Sequence, residues 1–554
     1  MVLNTSVSGP LRINPLKPAT SLINNMNPKK ILIAGRWQDS HSTGSFQAEN
    51  PQTATLLPSH FPISSWSDVD AALDAAALAF QKMQSLPREV LANFLESYAD
   101  RIDARSAEIC ALASQETALP VEPRLASGEL PRTTNQLRQA AAAARDQGWC
   151  RPTIDTKNNL RSCHGPLGPV VVFGPNNFPL AYNGISGGDF ASAIAAGNPV
   201  LAKAHPLHPG TTELLAQEAL AAAIESGLPA GSVQLIYALD YLDGERLVRD
   251  SRLAAVGFTG GRLAGLKLKA AADWSGKPIF LEMSSINPVF ILPGAISERA
   301  AAICDDLKTS CLMGCGQFCT SPGLIVLIKS AATETWINSL VEKYKSAPVG
   351  TLLAKSGQAG LAAAVEQLKS SGAELLCGGQ VGGGAGYSYA NTILKTSGEH
   401  FLDNPASLQT EAFGNATMIV VVDSIEQAVQ VTQTLEGNLT GSIYSATNGG
   451  DDEAYAAIAP PLRQRVGRLL NDKMPTGVAV SAAMHHGGPY PATGQPGFTA
   501  VGFPASIVRF SMLQCFDNVR EHRLPEILRD RNPTGATRMI DGKSTTADVG
   551  SVVG

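Results

Sequence analysis

Three short segments carry residue types that could do covalent chemistry. In GQFCTSPG, residues 316–323, Cys319 is flanked by Gly316, Pro322 and Gly323 in a stretch that must turn tightly. A thiolate held there could attack an electrophilic carbon, although a cysteine taken alone is more often a small buried hydrophobe. In LEMSSINP, residues 281–288, Glu282 ends an apolar run and Pro288 follows a polar turn. A carboxylate at the carboxyl end of a strand can serve as a general base, or simply sit solvated at a rim. In FGPNNFPL, residues 173–180, Asn176 and Asn177 lie between Pro175 and Pro179 after an apolar strand. A side-chain amide donates hydrogen bonds without titrating, which suits it to a developing oxyanion; the ordinary use is an Asn-rich turn. Cys311, Cys315 and Cys319 also repeat at four-residue spacing. That spacing matches no usual zinc-ligand pattern and no second His/Cys cluster lies near it in sequence, so no metal is expected.

These residues need a scaffold, and the chain supplies an alternating one. From Asp68, the run DVDAALDAAALAFQKM places Val69, Leu73, Ala76, Phe80 and Met83 at spacings of three and four, which predicts an amphipathic helix. Further helices are predicted from Glu89 to about Thr117 and from Gly128 to Ala144, the last carrying Arg132 and Arg138. Between Pro169 and Leu281, apolar strands (PVVVF, NPVLAK, SVQLIYA, LAAVGF, KPIFLEM) alternate with helical segments, a doubly wound α/β pattern. A second α/β half runs from INPVFILPG through GLIVLIKS, TMIVVVDS and VAVSAAM.

Composition narrows the function classes. A 554-residue chain with 44% hydrophobic and 16% charged residues can bury large cores and should divide into lobes. Its net charge of −5, without a dense Lys/Arg block, gives no footprint for nucleic acid or anionic lipid. No apolar stretch reaches the ~20 residues that span a bilayer, and residues 1–29 lack a signal-peptide core, so a cytoplasmic location is expected. Nine thinly spread cysteines suit reduced thiols better than a disulfide framework.

The segments FGPNNFPL, GFTGG, LEMSS and GQFCTSPG occur in an order and spacing similar to the aldehyde dehydrogenase superfamily, a resemblance that runs from about Ile31 to Asp530. Longer strings (ETALP, GELPRTTNQLR, GPNNFPLAYN, LAKAHPLHPGTTE, MSSINPVFILPG, HGGPYPAT) resemble the 2,5-dioxovalerate (α-ketoglutarate semialdehyde) dehydrogenases, with NADP-linked fatty aldehyde dehydrogenases as near neighbours. The chain departs from that pattern in SIVRFSMLQCFDNV, which lacks a basic, Pro-Val-containing version, and in MHHGG, which has a further histidine.

The resemblance implies a role for each motif. Cys319 would attack the aldehyde to form a thiohemiacetal, and Asn177 with the Cys319 backbone N–H would hold its oxygen. Hydride transfer to the nicotinamide would leave a thioester, and Glu282, a partly desolvated base with raised pKa, would activate the water that cleaves it. That non-acylating outcome separates the chain from CoA-acylating relatives. GFTGGRLAG, with Gly260, Gly261 and Gly265, would bring backbone close to the cofactor pyrophosphate at a helix N-terminus. Lys203 would bond the adenosine ribose, and Glu411, with Phe413 beside it, would hold the nicotinamide ribose; Asn415 stands where the family usually has proline. Pro206 occupies the place of a glutamate that repels a 2′-phosphate, which implies NADP or NAD as cofactor. Arg132 and Arg138 are candidates for binding a substrate carboxylate.

The expectation is therefore an α/β, aldehyde dehydrogenase-like fold: two doubly wound α/β lobes plus a small β oligomerisation element. Its expected parts are a flexible extension 1–29, a cofactor-binding domain 30–150 and 166–281, a catalytic domain 282–502, an oligomerisation element 151–165 and 503–532, and a flexible tail 533–554. The expected reaction is NAD(P)-dependent oxidation of 2,5-dioxopentanoate to 2-oxoglutarate by a homodimer or homotetramer. The alternatives are a fatty or aromatic aldehyde as substrate, or a catalytically silent binding or structural homologue.

Overall fold

The computed structural model describes residues 27–42 and 44–550, so most of the extension expected at 1–29 lies outside the described residues. A first sheet has seven strands in the spatial order Ile279–Glu282, Ala255–Thr259, Val170–Phe173, Val200–Lys203, Val233–Ile236, Ile31–Ile33 and Arg36–Gln38. The first five are parallel, and the last two close the edge antiparallel. All four residues of Ile279–Glu282 and Val233–Ile236 are buried, as expected of strands covered on both faces. Chain order reverses on either side of Val170–Phe173, which leads to Val200–Lys203 on one side and lies against Ala255–Thr259 on the other. Such a switch point leaves a crevice beyond the carboxyl ends of the strands. FGPNN leaves one wall of that crevice and GFTGG the other.

The helices covering this sheet follow their apolar spacing. Trp66–Met83 starts at a capping box, in which Ser65 accepts from the Asp68 N–H and the Asp68 carboxylate accepts from the Ser65 N–H. It buries Val69, Ala72, Leu73, Ala76, Ala79 and Met83, with Phe80 half-buried. Arg88–Ala104, Ser106–Thr117 and Leu130–Asp146 follow, the last preceded by a π-helical segment, Val121–Glu129.

The second sheet runs Glu374–Cys377, Thr392–Ser397, Ala416–Val422, Leu324–Ile328, Val289–Ile291, Asn438–Tyr444 and Val466–Asn471, parallel except for its first edge strand. GQFCTSPG leads into Leu324–Ile328 and QTEAFGN into Ala416–Val422, so both sit at the amino ends of this sheet's strands. The bridge between Glu282 and Thr493 carries the carboxyl edge of the first sheet to the same place. Among the described residues, no helix is long and apolar enough to cross a membrane.

A third, five-stranded sheet joins Ser511–Asp517, Leu160–Pro166, Thr153–Asp155, Arg538–Ile540 and Lys543–Thr545. Its last two strands correct the expectation of a flexible tail from 533. Arg538 is fully buried and donates to the carbonyls of Asp530 (3.2 Å) and Ala547 (2.8 Å), while Asp541 accepts from the backbone N–H and hydroxyl of Thr156. A buried guanidinium answered by carbonyls holds this segment in place, and hydropathy alone does not reveal it.

Candidate active site

The loop carrying Cys319 is shaped by backbone that ordinary residues avoid. Helix Pro293–Leu312 ends, and Gly314 (φ 56°), Cys315 (φ 56°) and Gly316 (φ 69°) follow in the left-handed region. A Cβ on Gly316 would lie 2.1 Å from the Gly414 carbonyl oxygen, so the cysteine loop and the loop carrying Glu411 touch through two glycines. The same break removes any common helical face for Cys311, Cys315 and Cys319. Cys311 points to the Pro322 carbonyl at 3.5 Å, and burial pushes the thiols of Cys311 and Cys315 up to about 12, which marks both as packing residues. Cys319 is the half-buried one of the three.

Polar groups fix the loop further. Asn287 Nδ2 donates to the carbonyls of Cys319 and Ser321 (2.9 Å each), and Gly323 N donates to the Ile286 carbonyl at 2.8 Å. Asn438 Oδ1 in turn accepts from the backbone N–H groups of Ile286 and Asn287 (2.9 and 3.0 Å). The turn SSIN is thereby a scaffold for the cysteine, built from buried amides.

Cys319 Sγ lies 3.6 Å from His486 Nε2, and that nitrogen lies 2.8 Å from Glu282 Oε1. His486 and Glu282 are both buried, although 204 residues separate them in sequence. Burial pushes the Glu282 carboxyl up, but the His486 ring, the Cys319 thiol and the Arg509 charge outweigh it and hold the group below its usual value. The expectation of a raised pKa is thus corrected: the base is kept ionised. Its second oxygen, Oε2, has no hydrogen-bond partner. Burial and then the Glu282 charge push the Cys319 thiol well above its usual value, so the sulfur rests protonated and needs an acceptor to become a nucleophile. His486 Nε2 faces both groups: its N–H donates to the Glu282 carboxylate and stays within reach of the sulfur, where it can stabilise a thiolate. Sequence reading missed His486; the doubled histidine in MHHGG was its signal.

Asn177 Nδ2 donates to the Gln317 carbonyl at 2.8 Å, two residues before the cysteine. An amide nitrogen has two N–H groups, so this bond orients Asn177 beside Cys319 and leaves a second donor. Phe178, Tyr182, Phe318 and Val501 make the apolar wall.

The two candidate arginines separate. Arg132 Nη2 donates to Tyr182 Oη at 3.0 Å, the guanidinium lies over the Phe178 and Tyr182 rings, and its charge lowers the Cys319 pKa. Arg138 turns away and pairs with Asp100 (2.6 Å) and Asp103 (2.8 Å) on the surface. Six residues of helix rotate by about 240°, so the pair cannot share a face. A third cation was missed: Arg468, on strand Val466–Asn471, donates to the Pro475 and Gly477 carbonyls, and burial lowers its pKa against the opposing influence of Cys319 and Tyr182 nearby. Neither Arg132 nor Arg468 has a carboxylate partner among the described residues.

On the other side, helix Arg262–Trp274 begins at Gly261 directly after strand Ala255–Thr259. A Cβ on Gly265 would strike Met283 (2.9 Å) and Phe258 (3.1 Å), whereas one on Gly261 would meet nothing within 4 Å. Glycine thus packs the helix against the sheet at one position and leaves an open approach to its N-terminus at the other, which fits a dinucleotide's pyrophosphate. Lys203 ends its strand half-buried, and burial lowers its pKa to about 8. Glu411 lines a cavity of about 230 Å³ with Arg262, Ser284 and Gly437, and accepts from Ser285 N at 3.3 Å. Phe413 is half-buried beside it, and Asn415 donates to Tyr389 O (2.6 Å) and Asn391 Oδ1 (2.8 Å), fastening the turn without a proline.

Known proteins are similar to this chain in sequence and in fold. The aldehyde dehydrogenase family model matches residues 37–463. Alpha-ketoglutaric semialdehyde dehydrogenase 2 of Azospirillum brasilense is 36% identical over 530 residues, covering 93% of this chain and 99% of that one. The alpha-ketoglutaric semialdehyde dehydrogenase of Acinetobacter baylyi is 36% identical over 500 residues, 88% and 93% of the two chains. In fold, the chain is similar to lactaldehyde dehydrogenase from Escherichia coli, with a TM-score of 0.77, 22% identity, and 88% and 98% of the chains covered. It is likewise similar to the NAD+ complex of a Bacillus cereus aldehyde dehydrogenase, with a TM-score of 0.76, 20% identity, and 88% and 96% covered.

Proposed function

The chain belongs to the aldehyde dehydrogenase family and is an NAD(P)-dependent enzyme that oxidises aldehydes, and on that premise we propose that its substrate is 2,5-dioxopentanoate, released as 2-oxoglutarate. The observation that carries this reading is the pair Arg132 and Arg468, cations without carboxylate partners among the described residues, set around the aromatic wall beside Cys319. A short aldehyde with a carboxylate at its far end would bring the missing anion. The names of the two relatives at 36% identity support the same class.

In this mechanism the Cys319 thiol gives up its proton to solvent, the thiolate is stabilised by the Arg132 charge and by the His486 Nε2–H 3.6 Å away, and the sulfur attacks the aldehyde carbon. The free N–H of Asn177 and the Cys319 backbone N–H hold the oxyanion. The nicotinamide, when bound, supplies the hydride acceptor that turns the thiohemiacetal into a thioester. Gly260, Gly261, Lys203, Glu411 and Phe413 would hold that cofactor. Glu282, through its unpartnered Oε2, then draws a proton from water so that hydroxide releases the acid. With Pro206 after Lys203, no carboxylate repels a 2′-phosphate, so NADP is used at least as well as NAD.

Copies of the chain would pair through the five-stranded sheet, where Met512, Leu513 and Met539 are exposed. A cytoplasmic enzyme would keep the free thiol of Cys319 reduced. The reading is tested by steady-state kcat/KM for 2,5-dioxopentanoate, succinate semialdehyde, hexanal and benzaldehyde with each cofactor. Preference for the carboxylated aldehydes is expected, and preference for hexanal or benzaldehyde would refute it.

A further inference from the structure

We propose that Glu282, Cys319 and His486 also form a reversible Zn²⁺ site that holds the enzyme inactive when occupied. The ligand atoms of these three side chains all lie within 4.8 Å of one another, and no other trio of potential ligands meets that condition among the described residues. The donor set of one thiolate, one imidazole and one carboxylate suits a borderline-soft ion and is wrong for Mg²⁺ or Ca²⁺, which take oxygen.

The spacing agrees with tetrahedral zinc. With Zn–S near ~2.3 Å and Zn–N near ~2.0 Å, a tetrahedral angle separates sulfur from nitrogen by about 3.5 Å. Cys319 Sγ and His486 Nε2 are 3.6 Å apart. Nitrogen and oxygen ligands should be about 3.3 Å apart, against the 2.8 Å of the hydrogen bond between His486 Nε2 and Glu282 Oε1. The carboxylate therefore either opens by about half an ångström or turns its other oxygen to the metal. That oxygen, Oε2, is buried and has no hydrogen-bond partner to lose.

Charge favours the ion as well. A Cys319 thiolate and the Glu282 carboxylate would be two negative charges sharing one buried space. A divalent cation cancels both and turns that repulsion into attraction. Binding exchanges the S–H bond for an S–Zn bond and releases the thiol proton to solvent, and His486 keeps its single proton on Nδ1 so that Nε2 can ligate; no oxidant or reductant takes part. The half-buried Cys319 leaves a fourth position open to water on the substrate side. The ion then occupies the sulfur lone pair that would attack the aldehyde, so it competes with substrate.

The test uses Co²⁺ as a spectroscopic stand-in and Zn²⁺ by calorimetry on the full chain, so neither readout depends on turnover. One ion per chain is expected, with a thiolate-to-cobalt charge-transfer band that is absent in Cys319→Ala. Zinc affinity should fall by ~10²-fold or more in Cys319→Ala and His486→Gln, exceeding the usual effect of losing an outer-shell group. Wild-type protein provides a check free of folding effects: saturating Zn²⁺ should protect Cys319 from iodoacetamide, read by peptide mass, and a chelator should restore both alkylation and full turnover. A cobalt complex without the charge-transfer band, equal zinc affinity in Cys319→Ala, or alkylation undiminished at saturating zinc would each overturn the proposal.

Discussion

Replacing Arg132 with methionine should cost a carboxylated substrate more than a neutral one. The guanidinium has five N–H donors; one meets Tyr182 Oη at 3.0 Å, and Nε is buried without a partner. A hydrogen bond to a charged group contributes about 1.5–3 kcal/mol, which corresponds to ~10–150-fold in kcat/KM. Methionine keeps most of the apolar contact with Phe178 and Tyr182, so the loss should fall on charge. The carboxylate lies away from the reacting carbon, and its contact is present in ground and transition states alike. KM for the acidic aldehyde should therefore rise, while losing the charge that lowers the Cys319 thiol should slow both aldehydes alike. The assay is steady-state NADPH formation from 2,5-dioxopentanoate and hexanal, with Arg138→Met as control. Arg138 is already paired on the surface with Asp100 and Asp103, so its loss should leave both substrates within about twofold, the effect of an exposed ion pair. Equal losses on both aldehydes in Arg132→Met, or none on the acidic one, would refute the assignment.

Cys319→Ala should abolish aldehyde oxidation while nucleotide binding, followed by fluorescence, persists; activity in that variant would end the covalent mechanism. Pro206→Glu should shift the kcat/KM ratio toward NAD by placing a carboxylate against the 2′-phosphate, and an unchanged ratio would show that another residue selects the cofactor. Lys203, lowered to about 8 by burial, should carry its charge below that pH and lose it above. The Kd for NADP should accordingly rise as pH passes through 8, and Lys203→Met should bind more weakly at pH 7 with a flatter profile; a parallel profile would remove Lys203 from the cofactor site.

Much of this was legible in the sequence because it is local. The strands before FGPNN, into GFTGG and through LEM announce themselves as apolar runs bounded by Gly and Pro, and Asn177 and Glu282 sit at or just past the ends of such runs. His486 was illegible because its meaning depends on Glu282, 204 residues away, and only the closure of residues 486–493 over the strand end brings the two together. Arg468 looked like an ordinary strand residue until the second sheet placed it near Tyr182 and Cys319. The ionised state of Glu282 likewise depends on His486 and Arg509, which no local spacing predicts. The hairpin after 533 was missed because a buried arginine, Arg538, organises it in place of an apolar stripe.

The central claim is that acylation at Cys319 and hydrolysis assisted by Glu282 are separable steps, and Glu282→Gln tests it most directly. The carboxamide keeps the shape of the side chain and a hydrogen bond to His486, so the fold and the thiol's neighbour survive. Rapid mixing of this variant with 2,5-dioxopentanoate and NADP should give a burst of NADPH approaching one per active site, followed by turnover slowed ~10²-fold or more, the usual contribution of a general base. Steady turnover at the parent rate, without a burst, would contradict the account.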